Sequence, residues 1–277
     1  MQNTTDDQQS LQAILLVSFG VSYPEARSAS IDVLYQRMVE AHPDFHVELA
    51  YTSEMIREIL ASRGEFVHNT ASALEALAAA GYRRVVVLPM HLIAGSEYHK
   101  ILAQVNDYRD RFEVLSIGTP LLYYPEDYQA IAEILDTHYV RTPDEAVVFM
   151  GHGSEHFMNA AYPALAYEFW RSKRDVFLGT VEGYPSLDDV VNALADRPEI
   201  KRVLLAPLLF VAGDHAQNDM AGEEPDSWAS VLRACGYEVT CVVQGMGEIP
   251  SILNRYCSNF AQIIEAAQQD PAWRAEA

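Results

Sequence analysis

The amino-acid sequence contains an internal repeat, in which the second half returns to the pattern of the first. The apolar run at 14–20 returns at 147–153, and the run 85–89 with its sequel 93–95 returns as 203–207 with 211–213. A chain of 277 residues built from two such copies forms either two small domains or one pseudo-symmetric unit. The repeat therefore restricts the fold to one architecture used twice.

Short apolar runs alternate with longer amphipathic stretches in both copies. Runs without a polar face predict strands at 13–19, 46–51, 84–88, 113–117, 146–150, 176–181, 202–206 and 237–242. Helices are predicted at 25–40, at 54–61 continuing through 70–80, and at 99–111, 126–139, 157–171, 187–195, 226–235 and 249–267. Apolar strands separated by helices are typical of parallel sheets covered on both faces. We expect an α/β fold of two pseudo-symmetric doubly wound halves, each a four-stranded parallel sheet flanked by helices, with a cleft between them.

The boundary between the halves is expected at Pro143 and Asp144. We expect a disordered N-terminus at 1–12 and an N-terminal α/β half at 13–142. A C-terminal α/β half at 143–268 would carry the metal site, and a frayed tail would follow at 269–277.

Charge and composition exclude several classes of protein. With 19 basic against 39 acidic side chains the net charge is −20, which disfavours nucleic acid and anionic membrane as partners. No apolar run approaches the roughly 20 residues of a membrane span, and the polar, acidic start lacks the regions of a signal peptide. We therefore expect a cytoplasmic protein. The three cysteines lack a metal-binding or disulfide spacing and are expected to be reduced and buried.

The two copies differ in the residues that follow equivalent strands. Ser18-Phe19-Gly20 in the first copy corresponds to Gly151-His152-Gly153 in the second, and Ser96-Glu97 corresponds to Asp214-His215. The copies thus agree in scaffold and differ in chemistry, which predicts one functional site built mostly by the second half.

His152, Glu182 and His215 each follow a predicted strand, and ligands of doubly wound sheets bind beyond the carboxyl ends of the strands. Two imidazoles and a carboxylate suit Co²⁺, Fe²⁺, Ni²⁺ or Zn²⁺. A histidine can also accept protons near neutral pH. Gly151 and Gly153 are expected to leave room for a flat molecule beside His152.

Each of these residues also has a purely structural interpretation. His152 could cap a turn, His215 could be solvated in an acidic loop, and Glu182 could be a charge at a helix N-terminus. Glu97 aligns with His215 and should face the same cleft, where it would contact the substrate, help to deliver metal or serve a structural role. His91 or His99 is a weaker candidate for a second ligand, such as a haem or a second tetrapyrrole.

Three motifs together resemble the class II tetrapyrrole chelatases, and among them the anaerobic sirohydrochlorin cobaltochelatases of the CbiK type. The first motif is the run 16–20 together with 22–27. The second is the Gly151-His152-Gly153 loop, and the third is the run 212–215, which ends with His215. The similarity runs from about residue 13 to 265. It implies ATP-independent insertion of Co²⁺ into sirohydrochlorin during anaerobic cobalamin synthesis, with no organic cofactor. It also implies His152, Glu182 and His215 as metal ligands, with His152 as the proton acceptor.

The substrate contacts expected from these motifs are Ser18, Phe19, Gly20, Tyr23, Glu97, Gly151 and Gly153. Sirohydrochlorin carries eight carboxylates, so an acidic protein must supply local donors. We expect helix N-termini, backbone N–H groups at 18–22 and Arg27 to provide them.

Several alternatives stay open at the level of sequence. Fe²⁺ or Ni²⁺ would fit the same ligands, so a ferrochelatase acting on sirohydrochlorin or a porphyrin is the nearest alternative. A non-catalytic carrier of metal or tetrapyrrole would suit a bilobed fold. A serine hydrolase has little support, because Ser18 and Ser154 lack the nucleophile-elbow motif. The oligomeric state is open, including a homo-oligomer.

Overall fold

The computed structural model describes residues 11–269, so most of the expected N-terminal segment 1–12 and tail 269–277 lie outside the described residues. Eight strands are present: β1 (Gln12–Ser18), β2 (His46–Tyr51), β3 (Arg84–Pro89), β4 (Val114–Ile117), β5 (Glu145–Gly151), β6 (Val176–Thr180), β7 (Arg202–Leu208) and β8 (Glu238–Cys241). The helices are α1 (Pro24–Ala29), α2 (Ile31–Ala41), α3 (Glu54–Ser62), α4 (Thr70–Ala79), α5 (Ser96–Asp107), α6 (Pro125–His138), α7 (Ala161–Arg171), α8 (Leu187–Ala195), α9 (Trp228–Ala234) and α10 (Pro250–Gln269).

The strands form two four-stranded sheets with the same topology. The first has the order β2-β1-β3-β4 and the second β6-β5-β7-β8, and every pairing is parallel. The two central strands are β1 and β3 in the first sheet and β5 and β7 in the second, and both faces of these strands are covered. The predicted α/β fold of two pseudo-symmetric halves is confirmed, because buried apolar runs specify strands of a covered parallel sheet.

Two predicted helices are each interrupted. The helix expected at 25–40 breaks at Ser30, whose hydroxyl donates to the Ala26 carbonyl at 2.5 Å. The continuous helix expected from 54 to 80 is also wrong. Gly64, at φ +82°, follows the end of α3, and Asn69 begins α4 as part of a capping box with Ser72.

The last helix of each half packs against the other half. Arg174, which follows α7, donates to the Ala132 carbonyl of α6 at 3.0 Å. In α10, the Tyr256 hydroxyl donates to the Met90 carbonyl after β3 at 3.0 Å, and Ile263 lies against Gly118 after β4. One buried core therefore contains residues from the facing sides of both sheets, together with α2, α6, α7 and α10.

Two smaller cores cover the outer faces of the sheets. The first sheet packs there against α4 and α5, and the second against α8 and α9. Within 11–269 the helices lack the length and apolar character that a membrane crossing requires. Of the cysteines, Cys235 is exposed and Cys241 and Cys257 are half-buried, so the expectation of three buried thiols is wrong for Cys235.

Candidate metal-binding site

His152 lies in the loop that directly follows β5, between two glycines that the packing requires. A Cβ on Gly151 would approach Cε1 of the buried Tyr162 to 2.6 Å. Gly153 has φ +87°, and a Cβ there would lie 2.7 Å from the backbone nitrogen of Gly183. The space beside both glycines is thus filled by protein, and the glycines bring the loop after β6 against His152.

The imidazole rings of His152 and His215 are in contact. Their centroids lie 4.7 Å apart and the ring planes are perpendicular. His215 follows β7 and immediately precedes a short π-helical segment, Ala216–Met220. Because β5 and β7 are adjacent in the second sheet, their carboxyl ends deliver the two rings to one place.

Hydrogen bonds at Nδ1 fix the orientation of both rings. Nδ1 of His152 donates to the Gly153 carbonyl at 2.9 Å, and Nδ1 of His215 donates to Oδ2 of Asp219 at 2.5 Å. With the proton on Nδ1, a neutral ring carries its lone pair on Nε2. This is the arrangement in which a second partner holds a metal-binding histidine in the correct tautomer.

Glu182 lies beside His152 on the loop after β6. Its Oε2 is 3.8 Å from Nδ1 of His152, and its backbone N–H donates to the His152 carbonyl at 2.8 Å. The side chain is 59% exposed, against 36% for His152 and 35% for His215. Within residues 11–269 no three acidic, histidine or cysteine side chains are arranged to hold one metal ion together. Each imidazole is thus held by a hydrogen bond at Nδ1, while the carboxylate of Glu182 is largely exposed.

The loop after β1 forms the opposite wall of the site. The Phe19 ring is 43% exposed, and its centroid lies 6.5 Å from that of His152. Ser18 is buried and its Oγ accepts from the Gly20 N–H at 3.2 Å. Gly20, at φ +103°, lies on the ring of Tyr51, where a Cβ would approach Cδ2 to 2.6 Å.

Tyr23 joins this wall to the second half. Its hydroxyl donates to Oδ1 of Asp214 at 2.9 Å, next to His215 in the sequence. That hydrogen bond, together with burial, raises the pKa of Tyr23. Asn218 also donates to Oδ1 of Asp214, at 2.9 Å. The first half thus reaches the loop that carries His215.

Glu97 lies in the first turn of α5 and has a partly buried carboxylate. Nζ of Lys100 lies 2.5 Å from Oε1. Oε2 is buried and accepts no hydrogen bond from the described residues. Burial alone would raise the pKa of Glu97, but Lys100, Thr52 and the nearby His91 lower it overall. Glu97 is therefore a carboxylate at neutral pH.

His91 and His99, the weaker candidates, have different surroundings. Both ring nitrogens of His91 are buried without a hydrogen-bond partner among the described residues. Burial lowers the pKa of His91 to about 4, although the nearby charge of Glu97 acts to raise it. His99 is exposed, and its ring lies across the cleft from His156 with centroids 4.7 Å apart. His156 is half-buried.

Sequence reasoning missed two residues that shape the site. Asp219 is one of several acidic residues near His215, but its i,i+4 spacing from His215 is a signal of contact within one helical turn. Tyr162, which packs on Gly151, left no local signal. Arg27, expected to bind substrate carboxylates, is instead paired with Asp32 at 3.0 Å and Glu65 at 3.6 Å.

Two α/β halves of the same topology, with two imidazoles in contact beyond the strand ends of the second half, fit the chelatase class. The model of the family "Cobalt chelatase (CbiK)" matches residues 12–265, and the chain belongs to this family. It is 36% identical to the sirohydrochlorin cobaltochelatase of Salmonella typhimurium, over 94% of this chain and 99% of that protein. Its identity to the sirohydrochlorin cobaltochelatase CbiKC of Nitratidesulfovibrio vulgaris is 34%, over 92% and 91%.

Solved structures show the same fold. SirB from Bacillus subtilis, solved with Fe³⁺, superposes with a TM-score of 0.62 at 16% identity, over 94% of this chain and 98% of SirB. A multi-domain protein from Deinococcus radiodurans with structural similarity to chelatases gives 0.56 at 15% identity, over 90% and 55%. These likenesses support the architecture of two facing α/β halves.

Proposed function

We propose that this chain inserts Co²⁺ into sirohydrochlorin, without ATP or an organic cofactor. The observation that carries the proposal is the contact between His152 and His215, each oriented by a hydrogen bond at Nδ1. Family membership and two relatives named as sirohydrochlorin cobaltochelatases support the choice of substrate. We assign His152, His215 and Glu182 as the groups that receive the metal.

The donor set suits an ion that has to be released again. Two neutral imidazoles and one carboxylate bind borderline divalent ions such as Co²⁺, and they also accept Fe²⁺ and Ni²⁺. Glu182 is largely exposed, so its carboxylate would join and leave the ion as the ion moves. Such a site passes a metal on more readily than a closed four-ligand site does.

Insertion also requires the removal of two pyrrole N–H protons as the ion enters the macrocycle. The Nε2 lone pair of His152 cannot hold the ion and a proton at the same time. In our proposal His152 first binds the ion, and its Nε2 accepts one of the two protons after the ion has moved to the macrocycle nitrogens. The exposed carboxylate of Glu182 accepts the other proton and passes it to solvent. The macrocycle gains two positive charges and loses two, so its net charge is unchanged.

The open face of Phe19 supports binding of a planar macrocycle between the halves. Ser18, Gly20, Tyr23, Glu97, Gly151 and Gly153 remain predicted contacts. Gly151 and Gly153 would act mainly through the loop geometry that they permit, because protein atoms fill the space beside them. A cytoplasmic location is part of the proposal, since sirohydrochlorin is a biosynthetic intermediate.

Anaerobic incubation of the protein with sirohydrochlorin and Co²⁺ tests the proposal by absorbance. We expect many turnovers per protein molecule, and parallel reactions with Fe²⁺, Ni²⁺ and a porphyrin would rank the substrates. A carrier would instead bind one equivalent of metal or macrocycle without accelerating insertion. That outcome, or preference for a porphyrin over sirohydrochlorin, would overturn the assignment.

A further inference from the structure

The proposed substrate creates an electrostatic problem for this protein. Sirohydrochlorin is a polycarboxylate, whereas the chain has a net charge of −20. Binding a polyanion at an acidic surface requires a local cation that is not already neutralised. The inference below rests on the proposed function and concerns which side chain supplies that cation.

Most arginines that could do so are held by the protein's own carboxylates. Within residues 11–269 such ion pairs engage Arg27, Arg111, Arg141, Arg171, Arg174, Arg197, Arg202 and Arg255. Lys100 is likewise paired with Glu97. Each pair places a carboxylate beside the cation and reduces its attraction for another anion.

Arg63 differs from these residues in both partner and position. It caps the C-terminal end of α3, is exposed, and has no carboxylate partner among the described residues. Its Nη1 donates to the Ser22 carbonyl at 2.5 Å, and its charge acts on the neighbouring Tyr23. Tyr23 in turn contacts Asp214, beside His215. The Arg63 guanidinium therefore lies on the wall of the cleft, near the loop that carries a proposed metal ligand.

The contact with Ser22 orients the guanidinium without neutralising it. A carbonyl accepts one N–H, and the planar guanidinium carries five. The remaining donors form a fork that matches the two oxygens of a carboxylate. We propose that Arg63 binds a carboxylate of the tetrapyrrole at the mouth of the cleft, and so favours polycarboxylated macrocycles.

Binding of metal-free sirohydrochlorin to the protein, followed anaerobically by absorbance or fluorescence, tests this directly. For Arg63→Gln we expect Kd and KM to rise about tenfold, as the loss of a charge-assisted hydrogen bond predicts. We expect kcat to stay unchanged, because no step of metal insertion is assigned to Arg63. The affinity should also depend less steeply on salt, since one charge pair is removed. Arg63→Lys keeps the charge but loses the forked pair of donors, so its Kd should lie between those of the wild type and Arg63→Gln.

Arg111→Gln is the matched control. Arg111 follows the C-terminal end of α5 and is paired with Glu75. Because that carboxylate already neutralises it, its loss should leave Kd unchanged. If Arg63→Gln binds with a Kd within about twofold of the wild type, or lowers kcat alone, Arg63 is not a carboxylate ligand. Should Arg63→Gln fail to fold, the Kd of Arg63→Lys decides in the same way. Failure of the proposed function is distinguishable, because the wild type would then not insert cobalt into sirohydrochlorin.

Discussion

The rings of His152 and His215 meet at right angles with their centroids 4.7 Å apart, although 63 residues separate them in the chain. They follow β5 and β7, two hydrogen-bonded central strands of one sheet. The loops after these adjacent strands hold the two rings in contact. The geometry of the site therefore depends on the register of the second sheet.

Replacing either histidine should stop metal insertion. We expect His152→Ala and His215→Ala each to lower the rate of cobalt insertion by at least about a hundredfold, because each removes a proposed metal donor and His152→Ala also removes the proposed proton acceptor. The rate is measured by the absorbance of the metallated product, and circular dichroism checks that the fold is retained.

His46→Ala provides the control for these two variants. His46 begins β2, at the opposite end of the first sheet from the cleft, and bonds to Glu48 at 3.1 Å. Its removal should leave the rate unchanged. Insertion at nearly the wild-type rate by both His152→Ala and His215→Ala would show that the site lies elsewhere.

Loss of the carboxylate behind His215 should weaken the site without destroying it. Asp219→Asn can still accept the Nδ1–H bond, but without negative charge it makes the imidazole less basic. We expect about a tenfold fall in cobalt affinity or insertion rate, measured by titration with Co²⁺ and by initial rates. An unchanged rate together with unchanged affinity would exclude Asp219 from supporting His215.

Gly153 can be tested against a glycine of similar conformation. Gly153 and Gly236 both have positive φ, at +87° and +95°, but only Gly153 has protein atoms in the way of a Cβ. Alanine at either position should cost about 1–2 kcal/mol in unfolding free energy from backbone strain. Only Gly153→Ala should also lose insertion activity, because it displaces the Glu182 backbone. Equal activity in the two variants would contradict this role.

The stability of the protein should fall in mild acid because of His91. Its pKa is about 4 in the folded state and about 6.5 in an unfolded chain, so the unfolded state binds more protons between these values. Stability is therefore fully present above about pH 6.5 and falls as the pH drops toward 4, by up to about 3 kcal/mol.

Urea unfolding between pH 4.5 and 7 measures this dependence. His91→Leu removes the titrating group and should flatten the curve over that range, while Glu97 contributes a loss only at lower pH. A curve for His91→Leu parallel to that of the wild type would mean that other groups cause the loss.

Much of the fold could be predicted because the strands are locally encoded. A continuous apolar run such as that in β1 or β5 specifies a covered strand wherever it occurs, and the repeat then supplies the topology twice. The breaks at Ser30 and at Gly64 were missed, because an amphipathic pattern continues through both.

The site was less accessible to sequence reasoning, since it depends on contacts between distant segments. Strand ends located His152, Glu182 and His215, and their role as metal ligands remains a prediction. No pattern in the local sequence predicts the hydrogen bond between Tyr23 and Asp214. The same holds for the hydrogen bond from Arg63 to the Ser22 carbonyl. The sequence favours Arg27 as a donor to substrate carboxylates, but in the structure Asp32 and Glu65 already pair with it.

The last helix has a consequence for how the protein is made. Tyr256 and Phe260 of α10 belong to the same buried core as Leu16 and Leu88 of the first sheet, yet α10 follows all eight described strands in the chain. The first half cannot complete its interior until α10 has been synthesised. The wall of the cleft and the proposed metal ligands opposite it thus reach their final form together, once α10 has packed against both sheets.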